Sequence, residues 1–131
     1  EAITTYIMSL KPTGAAKMKR SVDAGHPVTL SSTDTIADGL MPVRPGDLTF
    51  AHVQKFVDRV ITVDDKEIIA AVLWIFANAR LVAERSGAAT TAAVLSGALD
   101  TALGGFGSTL RFAGPIVAIV SGGNMGVEKL A

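Results

Sequence analysis

A buried strand followed directly by a capped apolar helix is the feature that most constrains how this sequence can fold. Residues 60–63 (V-I-T-V) are β-branched throughout, which is typical of a strand buried on both faces. Asp64 and Glu67 follow at the spacing of a capping box, in which each side chain binds the other residue's backbone N–H. The helix is predicted to run to about Ala83. Because it is apolar almost all round from Ile68 to Ala77, it is predicted to be largely buried.

The remaining strands indicate an α/β layer that this chain only partly supplies. A parallel central strand is predicted at residues 115–120, leading into S-G-G-N at 121–124 and a short helix from Met125. A short extended piece is predicted at 27–30. Alternation of strands and helices favours a parallel sheet, which needs several strands with both faces covered. We therefore expect an α/β fold in which the chain forms part of a mostly parallel, helix-covered sheet.

Local patterns place the other elements. Helices are expected at 2–10, at 14–24 with Gly25 at its end, at 49–57, and at 88–95, where small side chains allow close packing. Loops are expected at 35–48, with two prolines and two glycines, and at 96–114, which could also hold weak helix. In the helix at 49–57, four apolar side chains are predicted to point inward: Phe50, Val53, Phe56 and Val57.

Composition excludes several classes of function. Lysine and arginine total 12 and aspartate and glutamate total 12, so the chain lacks the basic excess that nucleic-acid binding by bulk charge requires. The apolar run from Ala70 to Ala77 is far shorter than the roughly 20 residues that span a membrane. The chain has no cysteine, so it has neither disulfides nor thiolate metal ligands, and we expect a cytoplasmic protein.

Three places in the sequence could carry chemistry. Ser121-Gly122-Gly123-Asn124 lies between a predicted strand and a helix, where ligands bind in open α/β sheets, although a tight turn without a ligand fits the pattern equally well. Glu84 is either the solvated end of a helix or a buried acid at a site. Asp38-Gly39 is either a simple turn or part of a site. The residues alone thus indicate an α/β piece with a small-molecule site.

Five segments occur in an order that resembles one enzyme family. They are T-I-A-D-G (35–39), R-P-G-D-L-T-F (44–50), D-x-V-x-x-V-x-D-x-E-I (58–68), L-V-A-E-R-S-G-A-A (81–89) and I-V-S-G-G-N (119–124). Together they resemble the carboxyl-terminal half of the threonine/serine dehydratases and serine racemases, which are fold-type II pyridoxal-phosphate enzymes. The resemblance covers nearly the whole chain. It implies that residues 1–131 are the carboxyl-terminal portion of the cofactor-binding domain.

The resemblance implies roles around the cofactor, pyridoxal 5'-phosphate. Ser121 matches the serine whose hydroxyl binds the pyridine nitrogen. A neutral hydroxyl there does not hold the nitrogen protonated, which favours elimination over transamination. Gly122 and Gly123 match glycines that give the ring room, Gly39 matches a glycine whose backbone lines the site, and Glu84 matches an acid near the ring.

Other family positions match weakly or not at all. Asn124 and Arg80 match residues that help to bind a nucleotide effector in racemase-like members. The family's Schiff-base lysine and its phosphate-binding glycine loop have no counterpart, so no catalytic residue is expected in this chain. A strand that holds a divalent-cation glutamate is expected to be missing between Pro12 and Thr13. Lys17 stands where a second carboxylate is usual, so no metal site is predicted.

Three functions follow as hypotheses. The first is a dehydratase that eliminates water from L-threonine or L-serine, with the lysine supplied by an amino-terminal part. The second is a serine or hydroxyaspartate racemase of the same fold; the loop from Leu40 to Val43 has no hydroxyl to bind a substrate carboxylate, which favours the dehydratase slightly. The third is a non-catalytic fragment or subunit that needs a partner chain. For the enzymes, the resemblance implies a small amino-acid substrate and a homodimer or homotetramer.

Overall fold

The computed structural model describes residues 6–104, 115–122 and 126, and it has an α/β architecture. Two parallel strands form a sheet that helices cover. The strands are β1 (Met8–Pro12) and β2 (Arg59–Val63). The helices are α1 (Lys17–Ala24), α2 (Asp47–Phe56), α3 (Asp65–Ala79), α4 (Arg85–Leu95) and α5 (Ala98–Ala102), with short 3-10 turns at Thr13–Ala15 and Asp38–Leu40.

The sheet has a different set of helices on each face. β1 and β2 pair in parallel, with Leu10 opposite Ile61 and Pro12 opposite Val63. Side chains alternate between the two faces of a strand. Ile61 accordingly packs with Leu99 and Leu103 near α5, while its neighbour Val60 packs with Met18 of α1 and Phe50 of α2. The predicted strand at 60–63 is therefore confirmed, and its two faces anchor two parts of the core.

β1 occupies residues that the sequence analysis assigned to a helix. Met8 and Leu10 pack on the same face as Ile61, so period-two spacing describes this segment where helical spacing was expected. Pairing with β2 outweighs a weak local pattern in so short a segment. A strand thus stands directly before Thr13, which removes one ground for expecting a deletion there. Whether residues are missing between Pro12 and Thr13 stays a prediction.

Helix ends follow the predicted capping signals. Gly25 ends α1 with a left-handed φ of 76°, and its N–H donates to the Val22 carbonyl. At the start of α3, the Glu67 N–H donates to Asp64 Oδ1 over 2.8 Å and the Asp64 N–H donates to Glu67 Oε2 over 2.7 Å. The capping box is confirmed. α3 ends at Ala79, earlier than predicted.

The prediction that α3 is largely buried is wrong. Ile68, Ala71 and Ile75 are buried on one side, whereas Leu73 and Phe76 are 57% and 52% exposed. An apolar sequence indicates what a helix can bury, but the elements beside it decide what it does bury. Among the described residues, α4 and the sheet cover only one side of α3. Phe56, predicted to point inward from α2, is likewise 53% exposed.

The predicted close packing of the small-residue helix is confirmed. α4 begins at Arg85, slightly before the predicted start, and buries Ala88, Ala92 and other small residues against α3. Because these side chains are short, the two helix axes can approach closely. This packing fixes the first turn of α4 relative to the rest of the fold.

Two predicted strands are not strands in the described residues. Residues 27–30 form a loop, in which the Leu30 N–H donates to the Val43 carbonyl. Residues 115–120 have no strand pairing, and Val117 and Ile119 are 80% and 70% exposed. A central strand needs neighbours at its edges, and the sheet described here has only β1 and β2. Residues 105–114 and the predicted helix start at Met125 lie outside the described residues.

Candidate functional site

Three distant segments meet at the amino-terminal end of α4. The Gly39 turn, which we define as Asp38–Leu40, is joined to α4 because the Gly39 N–H donates to Ser86 Oγ over 2.9 Å. The Glu84 N–H donates to the Gly122 carbonyl over 3.2 Å, and Thr90 Oγ1 donates to the Ile119 carbonyl over 2.7 Å. The segment 119–122 therefore lies along the first turns of α4, beside the Gly39 turn.

Glycines allow the closest approaches in this cluster. Gly122 has a left-handed φ of 81°, and a Cβ atom there would overlap the Glu84 carboxylate. A Cβ atom on Gly87 would overlap the Ser121 carbonyl. At Gly39 a Cβ atom would lie 2.9 Å from Ser86 Oγ and 3.8 Å from Glu84 Oε1. The half-buried Glu84 side chain therefore lies between the backbones of Gly39 and Gly122.

Most of the predicted site residues come together here. Ser121, Gly122, Gly39 and Glu84 belong to one cluster, and the first three are exposed to solvent. Arg80 ends α3 with a left-handed φ of 58°, and no contact among the described residues joins it to the cluster. Gly123 and Asn124 lie outside the described residues. The roles of all these residues stay predictions.

The sequence analysis missed the contact residues of α4. Ser86, Gly87 and Thr90 hold the Gly39 turn and the 119–122 segment in place. Ser86 and Gly87 lie inside the motif L-V-A-E-R-S-G-A-A, directly after Glu84. A serine and a glycine in the first turn of a helix of small residues were a signal for contacts with neighbouring backbone.

Side chains from two other elements fix the loop that carries Gly39. Asp65, at the start of α3, accepts from Thr35 Oγ1 over 2.6 Å and from the Ile36 N–H over 3.1 Å. From α1, Lys17 Nζ donates to the Leu40 carbonyl over 2.8 Å. Together with the hydrogen bond from the Gly39 N–H to Ser86, these contacts hold the loop at three places. The predicted loop at 35–48 is confirmed for residues 35–46, with one 3-10 turn inside it, whereas Asp47 and Leu48 belong to α2.

Lys17, which contacts the Gly39 turn, and its neighbour Lys11 both have lowered pKa values. Burial lowers the pKa of Lys17 below its ordinary value, and the neighbouring positive charge of Lys11 lowers it further. Burial also lowers the pKa of Lys11.

Within the described residues, no three His, Cys, Asp or Glu side chains lie close enough together to hold a metal ion. No helix in that part of the chain has the length and apolarity needed to cross a membrane.

Comparison with known proteins identifies the family. Residues 2–122 match the model of the family described as pyridoxal-phosphate dependent enzyme. The chain belongs to this family. It is 34% identical to an L-threonine ammonia-lyase of Thermotoga maritima over 95% of this chain and 28% of that protein. It is 39% identical to a serine racemase of Oryza sativa, subspecies indica, over 95% of this chain and 35% of that protein.

A solved structure supports the same assignment. The chain superposes on the processed form of threonine deaminase isoform 2 from Solanum lycopersicum with a TM-score of 0.81 and 35% identity, over 96% of this chain and 32% of that one. The predicted fold-type II architecture and the predicted pyridoxal-phosphate family are thus confirmed. The chain spans only about a third or less of the length of these relatives.

The described cluster fits a flat, ring-shaped cofactor. Ser121, Gly122 and Gly39 are exposed, so the backbone of both glycines is open to an approaching ring on the side away from Glu84 and Ser86. The Ser121 hydroxyl can donate a hydrogen bond to a ring nitrogen. Pyridoxal phosphate, the cofactor of the family, has such a nitrogen, and these residues would hold that side of it.

Proposed function

We propose that the protein carrying this chain is a pyridoxal-phosphate-dependent dehydratase (ammonia-lyase) acting on L-threonine, L-serine or both. The observation that carries the proposal is the cluster of Ser121, Gly122, Gly39 and Glu84 at the start of α4, in a chain of this family. Relatives named L-threonine ammonia-lyase and threonine deaminase support this choice of reaction.

The proposed reaction removes water from the amino acid and then releases ammonia. Pyridoxal phosphate, when bound, withdraws electrons from the substrate's α-carbon, which eases loss of the α-proton. The β-hydroxyl leaves with a proton as water, and a double bond forms between the α- and β-carbons. The enamine product rearranges to an imine, and water replaces its nitrogen to give a 2-oxo acid and ammonia. The base that removes the α-proton would lie outside this chain.

Ser121 sets the electronic character of the site in this proposal. Its hydroxyl donates a hydrogen bond to the ring nitrogen without adding a negative charge, so the nitrogen is not held protonated. The withdrawal of electrons is then moderate, which favours elimination over transamination. Gly122 leaves room for the ring beside this hydroxyl, and its carbonyl is fixed by the Glu84 N–H.

Glu84 and Gly39 shape the wall of the proposed site. Glu84 stands immediately before α4, where the positive end of the helix dipole favours its negative charge. Its carboxylate lies beside Gly122 and near Gly39, so it separates the two glycine backbones. The Gly39 N–H is bonded to Ser86, which keeps this turn at a fixed distance from α4.

A racemase of the same fold is the second candidate. The serine racemase of Oryza sativa, at 39% identity, favours it. The two enzymes differ in whether a second acid-base group faces the α-carbon, and that group would lie outside this chain. The loop from Leu40 to Val43 contains no hydroxyl for a substrate carboxylate, which favours the dehydratase.

A non-catalytic fragment or subunit is the third candidate. The absence of the family's lysine motif from this sequence and the exposed apolar segment at 116–120 favour a chain that needs a partner.

For the enzyme, we propose a small amino-acid substrate, a homodimer or homotetramer, no nucleic-acid partner and a cytoplasmic location. Asn124 and Arg80 remain proposed effector-binding residues.

The first test is the intact mass of the native polypeptide under denaturing conditions. A mass well above 13.5 kDa would indicate further chain that can carry the lysine, and it would support the proposed enzyme. A mass of 13.5 kDa would contradict catalysis by this chain alone, because the chain could not then attach the cofactor.

The reaction itself is tested by product analysis of the complete protein with pyridoxal phosphate. L-threonine should give a 2-oxo acid and ammonia in equal amounts, and D-serine formed from L-serine would favour the racemase instead. Ser121→Ala should lower kcat about tenfold, since one hydrogen bond to the reacting system is lost. The exposed Ser32→Ala is the matched control and should leave kcat unchanged.

A further inference from the structure

Lys17 buries a positive charge where a surface helix would normally expose it. The residue begins α1, yet it is only 8% exposed. A lysine at a helix surface usually extends its ammonium group into water. Burying an ammonium group is unfavourable unless hydrogen bonds compensate. The hydrogen bond from Lys17 Nζ to the Leu40 carbonyl, 2.8 Å long, provides that compensation.

No salt bridge among the residues that the structure describes explains why Lys17 is buried. Within the part of the chain that the structure describes, the ion pairs are Lys19 with Asp23 and Arg44 with Asp47. The charged group that acts on Lys17 is Lys11 of β1, which has the same sign and opposes burial. The contact with the Leu40 carbonyl is therefore the favourable polar interaction of this side chain.

The bonded carbonyl belongs to the turn that borders the candidate site. The Gly39 turn is a single 3-10 turn, in which the Leu40 N–H donates to Ala37 and the Met41 N–H donates to Asp38. Such short turns have strained hydrogen bonds and little stability of their own. Asp65 holds the loop before the turn, at Thr35 and Ile36. Lys17 holds it directly after Gly39.

We propose that Lys17 is a positioning residue that fixes the Gly39 turn against α4. Its ammonium group holds the Leu40 carbonyl, and this keeps the Gly39 N–H at Ser86 and the glycine backbone beside Glu84. The importance of the turn for cofactor binding rests on the proposed function, whereas the contact between Lys17 and the turn does not. Among the described residues, the hydrogen bond of the Lys17 ammonium group goes to Leu40 and not to a proposed cofactor-binding residue, so Lys17 acts through the turn.

The test compares three variants of the complete protein by amide hydrogen exchange. Lys17→Met keeps the length of the side chain and removes the donor. Lys17→Arg restores a donor, and Lys19→Met is the control, since Lys19 lies on the same helix and pairs with Asp23 at the surface. Lys17→Met should speed exchange of the Leu40 and Met41 amides at least about tenfold, the effect expected for loss of a partly buried charged hydrogen bond.

Two results support the proposal together: local acceleration in Lys17→Met and its reversal in Lys17→Arg, with Lys19→Met like the wild type. Unchanged exchange at Leu40 and Met41 in Lys17→Met would overturn it. A uniform rise that includes the amides of β2 and α4 would also overturn it, because Lys17 would then act only on overall stability.

The cofactor separates this proposal from the proposed function. In the same variants, the Kd for pyridoxal phosphate is measured from the absorbance of the bound cofactor. A local rise in exchange with a several-fold weaker Kd for Lys17→Met supports both proposals. A protein that binds no pyridoxal phosphate at all would reject the proposed function, while the exchange data would still decide the role of Lys17.

Discussion

Single residues at the start of α4 determine whether the candidate site can form. Two features require glycine at position 122: its backbone is left-handed, and the absence of a side chain leaves room for the Glu84 carboxylate. Gly25, at the end of α1, has only the first of these features: its φ is 76°, but a Cβ atom there would have no neighbour within 4 Å. The two glycines therefore form a matched pair for separating backbone strain from steric overlap.

Gly25→Ala should lower the free energy of unfolding by about 1 kcal/mol, which is the cost of a left-handed backbone with a Cβ atom. Gly122→Ala should cost clearly more, about 2–4 kcal/mol, because the Glu84 side chain must also move. Urea unfolding of both variants of the complete protein gives the comparison. Equal losses in the two variants would show that overlap of the added Cβ atom with the Glu84 carboxylate contributes nothing to the cost of Gly122→Ala.

Lys11 gives a prediction about pH. Burial lowers its pKa in the folded protein, so between that lowered pKa and the ordinary value near 10.5 the unfolded chain binds more protons than the folded one. The free energy of unfolding contributed by this group therefore rises with pH through that alkaline window. The penalty for burying the charge is fully present below the lowered pKa and is gone above the ordinary value.

Lys11→Met should remove this contribution. The variant is expected to be more stable than the wild type at neutral pH, and the difference should shrink as the pH rises toward 10.5. Urea unfolding at a series of pH values measures it, with the exposed Lys19→Met as the control. A difference that stays constant over the alkaline range would mean that burial does not shift the Lys11 pKa.

Among the elements, α3 depends on a capping signal that can be tested by one substitution. The Asp64 side chain accepts from the Glu67 N–H and so satisfies an otherwise free donor at the helix start. Asp64→Ala should lower the free energy of unfolding by about 1 kcal/mol, the usual cost of losing such a cap. Asp23→Ala, which breaks the exposed pair with Lys19, is the control and should cost less. A larger loss in the control would contradict the capping argument.

Elements with a strong local signal could be predicted from sequence, whereas those that depend on distant partners could not. The capping box at Asp64 and the glycine at position 25 fix helix ends through contacts a few residues apart, and both were predicted correctly. β1 was predicted as a helix because its strand character comes from pairing with β2, about fifty residues along the chain. The site shows the same division. Gly39, Glu84 and Gly122 were found through motifs, but the contacts of Ser86, Thr90 and Lys17 depend on how the segments meet.

At the scale of the whole molecule, the exposed apolar surface is the feature that needs an explanation. The outer side of α3 exposes Leu73 and Phe76, and the segment at 116–120 exposes Val117 and Ile119. Large exposed apolar side chains in such numbers usually mark regions that another structure covers. The chain spans only 28% to 35% of the two relatives compared above, so in longer family members further chain is available to cover it.

Amide exchange at 116–120 tests whether that surface is covered in the complete protein. In the 131-residue chain alone, these amides have no strand partner among the described residues and should exchange at nearly the rate of an unstructured peptide. In a complete enzyme of this family type, adjacent parallel strands should bind them and slow their exchange by at least about a hundredfold. β2 serves as the internal reference, because its pairing with β1 should protect it in both forms. Fast exchange at 116–120 in the complete protein would contradict the predicted central strand and leave the chain as a unit that requires a separate partner.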